Sequence, residues 1–289
     1  MVDPRRAWLA LQRDLGGDEV IFDQPVDVAG VFTPSAVAPA ASSPSAVSAP
    51  RDTPPGRASA PAPAVVAAAK ADQMTAGEPV GDTSWRKNLP PIPGRGLDLQ
   101  PPAGGAWQSL EEIAELVRAC TRCPLCTTRT NAVPGEGNPR ARLMVIGEGP
   151  GDTEDKTGRP FVGRAGELLD KMLLAIEVPR ADVFIANVVK CRPPQNRVPL
   201  PDEREACLPY LRRQIELVAP AVILALGGTA AEALLGVRKP LGDLRLRVHR
   251  WGDIPLIVTY HPAALLRNPN WKRPAWDDVR IARQLLDHA

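Results

Sequence analysis

From Ser109 onward the chain switches repeatedly between a helical and an extended hydrophobic period. "SLEEIAELVRAC" (109–120) sets Ile113, Leu116 and Val117 on one helical face, with Ser109 and Glu112 at capping-box spacing. "RLMVIGE" (142–148) then reads as a buried strand, "AGELLDKMLLAIEV" (165–178) as a helix, "DVFIANVVK" (182–190) as a strand and "DEREACLPYLRRQIELV" (202–218) as a helix. "AVILALG" (221–227) is the next strand and "GTAAEALLG" (228–236) the next helix. A short polar hairpin around Gly242 and Gly252, the strand "IPLIVTYHP" (254–262) and a closing helix from Trp276 complete the pattern. Strands that are continuous apolar runs, separated by helices, belong in a parallel sheet covered on both faces. The expected fold is α/β, a three-layer α/β/α sandwich around a mostly parallel four-stranded sheet.

Upstream the pattern fades. Residues 5–15 put Trp8, Leu11 and Leu15 on one face, which predicts a short amphipathic helix within 1–20 that could dock a protein partner. Sixteen of the 33 prolines precede Ala103, and the run 34–69 is nearly all Ala, Pro, Ser and Val. Such a segment has too little apolar surface to recover its ordering entropy, so 21–105 is expected to be a disordered linker, with the folded domain at 106–289. Residues from 88 onward carry 27 basic and 23 acidic side chains, a balance that permits a polyanionic partner without demanding one. No apolar run approaches the ~20 residues needed to cross a bilayer, and "MVDPRRAWLALQRDLGGDEV" is too polar for a signal peptide. A cytoplasmic, monomeric protein with no membrane partner is expected, and five cysteines there would not form a disulfide framework.

Ligands of parallel sheets bind beyond the carboxyl ends of the strands. Three unusual segments fall there: "GEGPGDTED" after the first strand, "NVVKCRPPQN" after the second and "HPAALLRNP" after the last. The glycine loop lacks both the G-x-G-x-x-G order of a dinucleotide fold and the G-K-[ST] of a P-loop, and its carboxylates would repel phosphate. It suits a backbone platform that approaches a flat neutral ligand, with Glu148 or a neighbouring acid placed for proton or water chemistry. Asn187 and His261 add an amide and an imidazole at strand ends on the same side. Cys120 and Cys123 form a C-x2-C knuckle which, with Cys191 and Cys207, makes a four-thiolate set. Spacing alone leaves zinc, an iron-sulfur cluster and isolated buried thiols open.

"GEGPGDTEDKTGRPFVGRAGELL", "NVVKCRPPQNRVPLPDE", "LGGTAAEALLG" and "HPAALLRNP", in this order behind a "CTRC" knuckle, resemble the family 4 uracil-DNA glycosylases, which carry a 4Fe-4S cluster. The likeness spans 110–289 and leaves out the N-terminal third. It implies that the glycine-rich turn holds a flipped-out uracil, with backbone amides near Glu148 and Gly149 on the base and Phe161 stacked on its face. Asn187 would read the uracil edge and His261 would face O2. Glu148, or second Glu154, would place water and stabilise the cationic sugar. Leu265 or Leu266 would fill the gap in the duplex, and Arg267 would meet a phosphate. The cluster ligands implied are Cys120, Cys123, Cys191 and Cys207, with Cys126 an extra thiol beside the knuckle. "CRPPQNRVPLPDE" contains no histidine of the kind that a related branch uses to trap the base-free sugar, which implies turnover. Rival functions are a non-catalytic module binding DNA or a polymerase, and an iron-sulfur electron carrier.

Overall fold

The computed structural model describes residues 85–86, 89–100 and 102–289, all within one compact unit. The expected helix within 1–20, and the linker as far as residue 84, lie outside the described residues.

The four expected strands are present as β3 (Leu143–Gly147), β4 (Val183–Asn187), β5 (Val222–Leu226) and β7 (Ile254–Thr259), mutually parallel in the order β7-β5-β3-β4. Every residue of β3, β4 and β5 is buried, which is why these strands read as unbroken apolar runs. The side chains nevertheless divide by the period of two. Met144, Ile146, Phe184, Ala186, Ile223 and Ala225 face one core, whereas Leu143, Val145, Val183, Ile185, Val222 and Leu224 face the other. Fully burying one of the larger of these side chains contributes about 1.5–3 kcal/mol, so two filled faces hold the sheet far more strongly than propensity does.

The first core is roofed by α1 (Leu110–Arg118), α4 (Pro201–Val218) and α5 (Gly228–Leu235), the second by α3 (Arg164–Ala175) and α8 (Lys272–His288). As expected, Ser109 Oγ caps α1 by accepting from the Glu112 amide at 3.1 Å, although Glu112 itself reaches the Gln108 amide. The chain crosses from β3 to β4 by α3 on one face and from β4 to β5 by α4 on the other. Reversing direction while keeping right-handed crossovers requires this change of face, and it opens a switch point between β3 and β5.

The sheet has seven strands, not four, in the order β1-β6-β7-β5-β3-β4-β2. β2 (Glu136–Gly137) pairs antiparallel with β4, and β6 (Val248–Trp251) pairs antiparallel with β7 through a turn in which Gly252 takes φ +58°. Gly242 lies not in that turn but in the short helix α6 (Leu241–Leu244). At the far edge β1 (Arg95–Leu99) runs parallel to β6, inside the segment expected to be disordered linker. Its Leu97 and Leu99 pack on the first core, and the Leu97 amide donates to His249 Nδ1 at 2.9 Å. The folded region therefore begins upstream of residue 106. Removing residues 1–105 should lower Tm by several degrees relative to removing 1–84, as calorimetry of the two truncated chains would show; equal Tm values would mean that β1 contributes nothing. The closing helix α8 starts at Lys272, four residues before the expected Trp276, since Pro274 in its first turn removes an amide that has no intrahelical partner there.

Candidate active site and cysteine-lined cavity

The residues singled out in sequence gather at the carboxyl ends of the four parallel strands. Glu148 follows β3, Asn187 ends β4, Gly227 and Gly228 follow β5, and His261 follows β7. β3 and β4 stay paired past their ends, the Val188 amide donating to Gly147 O at 3.0 Å and the Val189 amide to Glu148 O at 3.1 Å. This continuation sets Glu148 and Asn187 side by side. Across the switch point the Thr229 hydroxyl, from α5, donates to Glu148 Oε2 at 2.5 Å. One carboxylate oxygen is thus held and the other is left for a ligand or water.

Gly147 is the point where three groups meet. A Cβ there would lie 2.5 Å from Asn187 Oδ1 and 2.5 Å from Phe161 Cζ, so no larger residue lets the amide and the ring approach. Asn187 is 1% exposed, and its Oδ1 is buried without a hydrogen-bond donor. A buried acceptor left unpaired costs about 1–3 kcal/mol, a cost that a ligand bearing an N–H would remove.

Phe161 is buried at φ +50°, a left-handed conformation that a non-glycine residue adopts only when braced. Arg180 supplies the brace, donating to Phe161 O at 3.0 Å and Pro160 O at 2.7 Å while pairing with Asp170 and Glu136. From the other side Gly166 packs so closely that a Cβ would sit 1.9 Å from Phe161 O. The ring faces His261 with centroids 5.5 Å apart.

His261 caps α7 (Pro262–Arg267) by accepting the Ala263 amide on Nδ1 at 3.2 Å, which puts the proton of a neutral ring on Nε2. Burial pushes its pKa down to about 4, with the nearby Arg267 charge adding to the effect and Glu154 opposing it. His249 contrasts with it: Nδ1 holds the Leu97 amide and Nε2 lies 2.7 Å from Leu244 O, so both nitrogens are spent on the fold.

The two candidate carboxylates differ. Glu154, in α2 (Asp152–Thr157), accepts the amides of Val162 and Gly163 on Oε1 at 2.9 and 2.8 Å and that of Gly151 on Oε2 at 3.1 Å. Both oxygens tie the glycine loop to the Phe161 turn. Gly149 lies beside Val189, where a Cβ would come within 2.7 Å of Cγ2. In α7, Leu265 is buried in the second core, Leu266 is half-buried and Arg267 is exposed.

On the first-core side, all five cysteines line one cavity together with Arg122, Arg129, Lys190 and Tyr210. Cys191 and Cys207 are buried; Cys120, Cys123 and Cys126 are half-buried. Arg129 donates to Cys191 Sγ at 3.0 Å and the Lys190 amide to Cys207 Sγ at 3.3 Å. Burial raises both thiols, against the pull of Arg129 on Cys191 and Lys190 on Cys207, the latter thiol reaching about 12. Neither would ionise unaided at neutral pH, so a metal must displace the proton if they are to act as thiolate ligands. Among the described residues no three His, Cys, Asp or Glu side chains converge into a single-ion site.

Lys190 joins the cavity to the end of β4 at Asn187. Wholly buried, its Nζ donates to Asn187 O at 2.9 Å and Gln214 Oε1 at 2.6 Å, and Gln214 in turn donates to Pro134 O at 2.8 Å. Sequence reasoning missed Lys190, Thr229 and Arg180. Thr229 and Lys190 lay within quoted motifs, yet nothing local marked their partners.

Residues 134–280 match the family model of the uracil DNA glycosylase superfamily. The chain is 48% identical over 168 residues to the type-4 uracil-DNA glycosylase of Pyrobaculum aerophilum, covering 55% of this chain and 86% of that one. It is 46% identical over 181 residues to the type-4 enzyme of Thermotoga maritima, covering 61% and 94%. The chain belongs to the uracil DNA glycosylase superfamily, in its type-4 branch. A type-5 uracil-DNA glycosylase of Thermus thermophilus is more distant, at 35% over 176 residues covering 54% and 78%. The family match begins at residue 134 and so leaves out the Cys120–Cys123 knuckle and Cys126, whereas the Asn187, Thr229 and His261 positions all fall within it.

Proposed function

We propose that this protein excises uracil from DNA by hydrolysing the N-glycosidic bond, leaving an abasic site for base excision repair. The observation that carries this reading is the buried, donorless Oδ1 of Asn187 beside the braced Phe161 ring. Uracil offers N3–H to that oxygen and O4 to the amide nitrogen. Cytosine has no N3–H and carries an amino group in place of O4, so with the amide in this orientation both halves would stay unpaired; a buried polar site rejects an analogue strongly on such a mismatch. Phe161 supports the face of the base, and the backbone at Glu148 and Gly149 approaches it.

As the C1′–N1 bond breaks, its electron pair moves onto the base and charge gathers at O2. His261 Nε2–H is placed to meet that charge, an interaction stronger in the transition state than in the ground state. Glu148, fixed through Oε2 by Thr229, offers its other oxygen to orient a water, take its proton and stabilise the cationic sugar. Glu154 holds the two loops together and leaves the water to Glu148. Leu266, half-buried at the edge of the second core, is better placed to enter the duplex than the fully buried Leu265, and Arg267 meets a phosphate.

The cysteine cavity fits a 4Fe-4S cluster. Four thiolates ringing a cavity suit a polynuclear group better than one zinc ion, whose tetrahedral ligands close to a point. Cys120, Cys123, Cys191 and Cys207 would hold it, and the cluster would staple the knuckle to α4 and to the loop after β4. Among the described residues no helix is long and apolar enough to cross a membrane. We take the protein to work as a cytoplasmic monomer on single- or double-stranded uracil-DNA.

A labelled uracil oligonucleotide treated with the protein and then alkali should be cut at the uracil position. Tight binding without cutting would indicate a non-catalytic DNA-binding module; indifference to DNA with a reversible redox potential would indicate an electron carrier.

The proton on Nε2 makes a second prediction. With its pKa near 4, His261 is neutral throughout the physiological range, so single-turnover release should show no limb centred near pH 6.5 that disappears in His261→Gln. A limb of that kind would mean a charged imidazolium in the reaction. Because folding disfavours the charged ring, the unfolded chain binds more protons between about pH 6.5 and 4, and stability should fall as pH drops through that window.

A further inference from the structure

An aromatic stack leads away from the base site. Tyr260, the residue before His261, has the Arg245 guanidinium 4.5 Å from its ring centroid and the Trp271 ring stacked on it, with centroids 4.8 Å apart and planes 14° from parallel. One face of a phenol ring cannot hold both groups at those distances, so Tyr260 lies between them. The inner end is rigid: Arg245 makes paired hydrogen bonds to Asp278 at 2.7 and 3.1 Å and a third to Pro274 O at 2.6 Å. At the outer end Trp271 is 39% exposed, the one aromatic among the exposed large hydrophobic side chains of the described residues. With one face on Tyr260, that exposure falls on the opposite face and the edges.

Trp271 also closes the turn Pro269–Trp271, which directly follows α7 and its Leu266 and Arg267. A single ring therefore separates this open aromatic surface from the residue that precedes His261. A pre-ordered aromatic face close in sequence to an exposed basic side chain, here Arg267, is the kind of surface single-stranded nucleic acid recognises, because every base has a π-face. In an intact duplex the flanking bases already have both faces covered.

We infer that Trp271 is a stacking platform for an unpaired base flanking the excised uracil, and that it biases the protein towards single-stranded or locally opened DNA. The inference rests on the glycosylase reading of the neighbouring site and adds a contact outside it. One stacked base accounts for about 5- to 150-fold in affinity.

The test is the dissociation constant for a fluorescent single-stranded uracil oligonucleotide, measured by anisotropy for the wild-type protein and for Trp271→Ala, Trp271→Leu and Trp271→Phe. Leucine keeps apolar packing against Tyr260 and phenylalanine keeps a π-face. Alanine and leucine should weaken single-strand binding by that factor, phenylalanine should recover most of it, and affinity for the matching duplex should barely change. Uracil release at saturating substrate should survive in all three. A uracil-free single strand should show the same losses, so the platform is decided even if no uracil is released and the glycosylase reading fails. Unchanged affinity in Trp271→Leu, or equal losses on duplex and single strand, would overturn the inference.

Discussion

Replacing His261 with alanine should slow single-turnover uracil release by about 10²- to 10³-fold, the usual contribution of a donor placed at a developing oxyanion, while leaving the affinity for intact uracil-DNA nearly unchanged. The division follows from when each group meets its partner. His261 keeps its proton on Nε2 because Nδ1 is occupied by the Ala263 amide, and O2 carries little charge until the glycosidic bond stretches. On the proposed reading Asn187 meets the base before and during cleavage, and its unpaired Oδ1 is already buried. Asn187→Ala should therefore lose discrimination between uracil and cytosine as well as speed, whereas His261→Ala should keep discrimination. Single-turnover release and equilibrium binding of both variants on both bases separate the roles. If His261→Ala weakens binding as much as it slows release, His261 is a ground-state contact and the transition-state role fails.

Much of this site was legible in the sequence because its main residues sit at the ends of strands that announce themselves. β3, β4 and β5 are buried on both faces, so they appear as apolar runs with abrupt polar ends, and those ends carry Glu148, Asn187 and Gly227. β1 escaped because "RGLDL" has only two apolar positions and takes its strand form from β6, some 150 residues later. β2 is two residues long and has no pattern of its own. Partnerships were the other blind spot. Thr229 reaches Glu148 across 81 positions, and Lys190 reaches Gln214 across 24. Glu148 and Glu154 looked alike as two acids in one loop. What separates them is that three backbone amides point at Glu154 while a single hydroxyl holds Glu148.

The cysteine cavity carries the second large effect. Cys191 and Cys207 are the buried members of the set, on the loop after β4 and in the middle of α4, and each already accepts a hydrogen bond from Arg129 or from the Lys190 amide. Protein purified in air should be brown, with a broad absorption near ~400 nm from thiolate-ligated iron, and Cys191→Ser or Cys207→Ser should lose iron and the folded state together. The loss should reach the proposed base site as well, since Lys190 spans the two, its main chain on Cys207 and its ammonium on the carbonyl of Asn187. Cys126 is the discriminating case, because its thiol lines the same cavity although four thiolates complete the set. Cys126→Ser should keep both iron and fold. Iron loss from that variant would move the ligand from Cys120 or Cys123 to Cys126, and stoichiometric zinc in a colourless, fully active protein would refute the cluster altogether.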